Sequence, residues 1–136
     1  AYNVNLSTKD IKLAKKIASA IRRIRDTDKN IRLQNVKVIG WYVLEYDCCQ
    51  ISTNLYDIAE CDMSQIFELV ENVAKDMGIT TYGSELIGMT PLKGLSSDSN
   101  FNNYKEFINR LGLSKVSSFI PEERILELKL DLGTAL

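Results

Sequence analysis

Uncharged amide and hydroxyl side chains recur at every second position in two short stretches of this 136-residue chain. In CCQISTNL, Gln50, Ser52 and Asn54 alternate with Ile51, Thr53 and Leu55; in AYNVNL, Asn3 and Asn5 alternate with Tyr2, Val4 and Leu6. A period of two is that of a β-strand, so each stretch sends its polar groups to one face and its apolar groups to the other. Surface strands usually carry Lys and Glu. A row that donates and accepts hydrogen bonds, and stays neutral at every working pH, suits the reading of a heterocycle or an amidine. The pattern by itself also admits a solvated sheet face or a wet interface with another domain.

Other chemistry is thinly provided. The chain has no His, so the commonest general acid-base group and metal ligand is missing. Cys48, Cys49 and Cys61 are an odd number with no metal-ligand spacing, and adjacent cysteines rarely bridge each other, so free thiols in a reducing cytoplasm are expected. No metal site is expected. The formal charge of −1 gives no electrostatic footprint for nucleic acid or an anionic membrane. The basic stretch KLAKKIASAIRRIR has its charges at helical spacing and reads as the solvated face of an amphipathic helix rather than a phosphate-binding surface. No run approaches the roughly 18 to 20 apolar residues of a membrane span.

The elements that would position the polar rows follow from periodicity and punctuation. After the first strand, Ser7 or Thr8 offers an N-cap, and Ile11, Ala14, Ile17, Ala18, Ile21 and Ile24 mark a long amphipathic helix ended by RDTDKN. NVKVIGWYVLEYDCCQISTNLYD reads as a hairpin with its corner at Tyr46-Asp47. Asp62 and Gln65 form a capping box before a second amphipathic helix closed by Gly78, and ITTYGSELIGM is a fourth strand ended by Pro91. The order β-α-β-β-α-β predicts an α+β, ferredoxin-like sandwich: a four-stranded antiparallel sheet with two helices on one face. Residues 1–90 would be this core. Residues 91–136 would be a C-terminal helical appendage, with a short helix before Gly112 and a helix or strand in PEERILELKL. Length favours one domain, and the opening at Ala1, already in a strand, suggests a fragment.

Only one sheet face can meet the helices. The apolar set is Tyr2, Val4, Leu6, Val36, Val38, Tyr42, Ile51, Thr53 and Leu55; the remaining set is Asn3, Asn5, Trp41, Gln50, Ser52 and Asn54. A two-residue turn at Tyr46-Asp47 would set Trp41 opposite Ser52, on the polar face.

Four stretches, in order and over nearly the whole chain, resemble the C-terminal subdomain of the formiminotransferase (glutamate formimidoyltransferase) family, which also forms the front part of formiminotransferase-cyclodeaminase. They are AYNVNL, IGWYVLEYDCCQISTNLYD, GSELIGMTPLKGL and RLGLSKVSSFIPEERILEL. The resemblance implies two ferredoxin-like subdomains whose open sheet faces enclose a tunnel for tetrahydrofolate. The formimino group of N-formimino-L-glutamate, or of formiminoglycine in a variant enzyme, would pass to N5 of the folate; the glutamate reaction is a step of histidine breakdown. Asn3, Asn5, Trp41, Gln50, Ser52 and Asn54 would then line one tunnel wall.

The family's folate-contacting Gly-Arg-Leu matches Ile31, Arg32 and Leu33, with Ile31 departing from the Gly. Arg32 would pair with a folate carboxylate or stand as an exposed loop arginine. Trp41 would stack on the pterin or aminobenzoyl ring or pack at the subdomain interface. The family's catalytic histidine belongs to the N-terminal subdomain, so no catalytic residue is expected here and the isolated piece is expected to be inactive without that partner. A cytoplasmic homodimer without metal is implied. A free-standing metabolite-binding module, or an oligomerisation module, of the same fold stays open.

Overall fold

The alternating stretches do form strands. The computed structural model describes residues 1–28, 33 and 36–134, with side chains as far as residue 130. Strand β1 (Tyr2–Leu6) leads through α1 (Ile11–Thr27) to the hairpin β2 (Lys37–Val43) and β3 (Cys48–Asn54). Helix α2 (Met63–Asp76) and β4 (Thr81–Leu86) complete the βαββαβ unit. Sheet order is β2-β3-β1-β4, with every neighbouring pair antiparallel, which is the ferredoxin-like topology.

Both long helices bury an apolar stripe against the same sheet face. Ala14, Ile17, Ala18 and Ile21 of α1 and Met63, Ile66, Val70, Val73 and Ala74 of α2 share one core with Tyr2, Val4, Leu6, Val38 and Ile51. Gly40 lies on the helix side of β2, opposite Ile51, and a Cβ there would sit 2.5 Å from the Ala14 carbonyl oxygen. Only glycine lets the α1 backbone come so close.

Local chemistry fixes the helix ends. The first cap is Asp10 rather than Ser7 or Thr8: its carboxylate accepts from the Lys12 N–H at 2.9 Å, while the Thr8 hydroxyl accepts from the Asp10 N–H. Thr8 is still engaged with the sheet, its carbonyl taking the Cys49 N–H, so the helix starts later than expected. The Asp62–Gln65 capping box forms in both directions at 2.9 Å. Part of the basic face of α1 also finds partners, since Arg22 and Arg25 donate to the carbonyls of Val38 and Val36. Val38 lies on β2 and Val36 just before it; β2 is an edge strand that would otherwise offer unpaired acceptors.

The hairpin departs from expectation in its turn. Val43 pairs with Cys48, leaving a four-residue loop, Leu44–Asp47, with Asp47 left-handed at φ 49°. Trp41 therefore faces Gln50, not Ser52. The register moves by two residues, an even number, so Trp41 keeps its face. Tyr42, expected in the core, is instead about 40% exposed, its hydroxyl donating to Asp47 at 2.5 Å.

Beyond Pro91 come α3 (Leu92–Leu95), α4 (Tyr104–Leu111), α5 (Pro121–Arg124) and α6 (Leu126–Thr134). Helix α3 was not foreseen, and Phe101 stays exposed ahead of α4. PEERILELKL is helical, the first of the two expected forms: Pro121 opens α5, and Ile125 makes an isolated parallel bridge to Thr90 before α6. Leu92, Leu95, Phe107, Leu111, Leu113, Phe119 and Ile125 join the main core. No helix among the described residues is long and apolar enough to cross a membrane.

Candidate functional site on the uncovered sheet face

Pairing fixes which side chains share the face turned away from the helices. One cross-strand row runs Ile39, Ser52, Asn3, Glu85; the next runs Trp41, Gln50, Asn5. Lys37 and Asn54 pair toward the far end. All six residues expected on this face lie on it. Asn3, Asn5 and Gln50 are buried, Ser52 half-buried, and Trp41 and Asn54 exposed.

Glu85 reaches this face because of a β-bulge. Leu6 pairs with Thr81, but Val4 pairs with Ser84, so β4 spends one extra residue where β1 spends none. In unbroken register Glu85 would have pointed under the helices, since a one-residue slip exchanges the faces. Gly83 permits the bulge at φ 68°, and a Cβ on it would sit 2.6 Å from the Gly112 carbonyl oxygen. That carbonyl also accepts the Ser84 N–H, so the chain after α4 closes the outer edge of β4.

Hydrogen bonds run across all four strands in a fixed direction. An indole N–H only donates, so Trp41 Nε1 donating to Gln50 Oε1 at 2.9 Å sets the orientation of the Gln50 amide. Gln50 Nε2 then donates to Asn5 Oδ1 at 2.7 Å and lies 3.4 Å from Glu85 Oε1. Asn3 Nδ2 donates to the same Glu85 oxygen at 3.1 Å, and the Tyr46 hydroxyl donates to Glu85 Oε2. The Glu85 hydrogen bond, then burial, raises the Tyr46 phenol pKa above its usual value; Ser117 opposes this.

Two atoms of the network are left over. Asn3 Oδ1, an acceptor, and Asn5 Nδ2, a donor, are buried with no hydrogen-bond partner. Buried polar atoms without partners cost about 1–3 kcal/mol each, so sites that keep them usually reserve them for a ligand, a water or an ion.

Other expected site residues fall elsewhere. Ile31 and Arg32 lie outside the described residues. Leu33 is in the hydrophobic core, about 2% exposed. The cysteines are free: burial raises all three thiols, and Cys61 reaches about 12. Among the described residues no group of His, Cys, Asp or Glu could hold a metal ion. Sequence reasoning missed Glu85 and Tyr46. The available signal for Glu85 was Gly83, because a glycine inside a strand pattern marks a bulge.

Residues 1–131 match the family described as the formiminotransferase domain. The chain belongs to that family. It is 37% identical to formimidoyltransferase-cyclodeaminase of Mus musculus over 142 aligned residues, covering 93% of this chain and 26% of the relative. Against the protein of that name from Gallus gallus, identity is 35%, with 98% and 27% covered. Glutamate formimidoyltransferase of Thermoplasma acidophilum is 36% identical over 95 residues, covering 70% of this chain and 30% of the relative. The chain thus spans about a quarter to a third of the length of these curated relatives, which carry further domains or subdomains.

Proposed function

We propose that this chain is the folate-facing half of a glutamate formimidoyltransferase. In this reading residues 1–90 form the frame of the site, and residues 91–136 buttress its β4 edge. The Trp41–Gln50–Asn5 and Asn3–Glu85–Tyr46 network carries the reading. It offers amide donors and acceptors with spare capacity around one carboxylate, beside a partly exposed indole, on the one sheet face that no helix covers. Membership in a family whose relatives are named as formimidoyltransferases supports tetrahydrofolate and N-formimino-L-glutamate as the ligands.

The donor set fits a pteridine. A pterin edge alternates N–H donors with ring-nitrogen and carbonyl acceptors, and it needs partners of both kinds; Asn3 Oδ1 and Asn5 Nδ2 supply one of each. Trp41 supplies a flat apolar surface for a ring. When bound, the folate provides the nucleophilic N5. Its bond to the formimino carbon forms, the bond from that carbon to the glutamate nitrogen breaks, and a proton moves from N5 to the departing nitrogen. A group able to exchange that proton is needed beside the reacting carbon. This chain has no His. Its residues would therefore bind and orient, and the proton carrier would come from a second subdomain facing this one, in the same chain or another.

The test is reconstitution. The 136-residue chain, joined to or mixed with the complementary formiminotransferase subdomain, is expected to transfer the formimino group to tetrahydrofolate, and each part alone to be inactive. Turnover by this chain alone, or an assembled complex that neither binds folate nor transfers the group, would overturn the reading.

A further inference from the structure

We propose that Glu85 is a specificity-determining residue of this face. Its carboxylate would hold a two-donor N–C–N edge of a ligand, as presented by a formimino (amidinium) group or by a 2-aminopyrimidinone ring. The inference rests on the reading that this face meets the ligands, and it adds the group that decides between ligand atoms.

Every other side chain in the hydrogen-bonded network is uncharged: Asn3, Asn5, Gln50, Trp41 and Tyr46. Glu85 is the one carboxylate among them, half-buried on the edge strand β4. The described residues form two ion pairs, Lys9–Asp47 and Arg25–Asp26, and Glu85 belongs to neither. A carboxylate held by neutral donors, and in no ion pair among the described residues, is a site for a cationic or strongly donating partner.

Asn3 must turn its Nδ2 toward Glu85, because a carboxylate oxygen only accepts, and this strands Asn3 Oδ1 as a buried acceptor beside it. This corner therefore keeps one acceptor, Asn3 Oδ1, without a partner, beside two carboxylate oxygens that accept from Asn3, Gln50 and Tyr46. The chemistry that satisfies it is a planar group with two or more N–H donors. A neutral carbonyl or a second carboxylate would be repelled.

Glu85 faces this side only because the Gly83 bulge reverses the alternation of β4. It is then steadied from three elements, by Asn3 of β1, Gln50 of β3 and Tyr46 of the hairpin loop. Such support from several directions holds a recognition group in one geometry.

Two experiments test the proposal. In the first, the wild-type chain is titrated with formamidinium chloride and, separately, with formamide, while the side-chain amide resonances of Asn3 and Gln50 are followed by NMR. Formamidinium is expected to perturb them with about tenfold or higher apparent affinity over formamide, as a charge-assisted bond should. Equal responses to the two probes would overturn the proposal. This arm needs neither a variant nor turnover, so it stands even if the transferase reading fails.

In the second experiment, Glu85→Gln is measured in the assembled transferase. The amide can keep the Tyr46 contact, and Trp41, the one tryptophan of the chain, reports whether the network is intact. A rise of about 10- to 100-fold in KM for the formimino donor, at unchanged Trp41 emission, assigns the edge to the amidinium. The same rise in KM for tetrahydrofolate assigns it to the pterin. Both Michaelis constants remaining within about twofold of wild type would overturn the proposal.

Discussion

The two faces of one four-stranded sheet show how differently a single alternating pattern can be used. On the helix side, Tyr2, Val4, Leu6, Val38 and Ile51 are sealed beneath α1 and α2, and α1 comes close enough to touch the backbone at Gly40. On the other side, one residue along each strand, stand amides, an indole and a carboxylate, with Ser52, Ile39 and Lys37 among them. The first face gains stability from apolar burial. The second keeps its polar atoms buried as well, with Asn5 and Gln50 as inaccessible as the core, but leaves two of them unsatisfied. Burial therefore does not separate the faces. Chemistry does: the helix side is mostly apolar, with the Tyr2 hydroxyl unpartnered, whereas the other leaves an amide donor and an amide acceptor that the proposed ligand would meet.

Mutations that strike one face should differ in kind from those that strike the other. The largest loss is expected for Ile51→Ala, which empties a fully buried position between the helices and β1: about 3–4 kcal/mol by chemical denaturation. Gly40→Ala should follow at about 2–3 kcal/mol, because its methyl has only the Ala14 backbone to push against. A near-neutral Gly40→Ala would show that the helix contact is looser than described.

Gln50→Ala, on the opposite face, is expected to cost about 1–2 kcal/mol by stranding Asn5 Oδ1 and freeing the Trp41 indole. Its signature is optical: Trp41 emission should shift in the native state, as it should not in Ile51→Ala. An unchanged spectrum would disconnect Trp41 from the network.

The smallest effect is a titration. The Tyr46 phenol is raised, so its neutral form is favoured in the folded state; that contribution is whole below about pH 10, the ordinary tyrosine value, and fades as pH rises through the raised value. The absorbance titration of the wild type minus that of Tyr46→Phe should isolate one phenol ionising later than a free tyrosine. A phenol at or below the ordinary value would remove the Tyr46–Glu85 bond from the account.

The sequence spoke most clearly where local rules decide the outcome. The Asp62–Gln65 box, the stop at Gly78, the stripe of α1 and the alternation of β1 and β3 each depend on residues a few positions apart. Trp41 was placed on the right face through the wrong turn, because moving from a two-residue to a four-residue loop shifts the register by an even number. Glu85 was hidden by the opposite accident: one extra residue in β4 reverses its face, and strand periodicity cannot count it. Leu33, matched by resemblance to a ligand contact, lies in the core. Tyr46 looked like a turn residue, and its reach to β4 depends on a loop geometry that no local pattern encodes.

The measurement closest to the central claim follows the side-chain amides of Asn3, Asn5 and Gln50 by NMR while tetrahydrofolate is added to this chain assembled with its complementary subdomain. The account predicts saturable shifts of those three amides together, with the backbone resonances of Ala14, Ile17 and Ile21 on the helix side unmoved. Shifts confined to the helix side, or folate bound with all three amides silent, would contradict it.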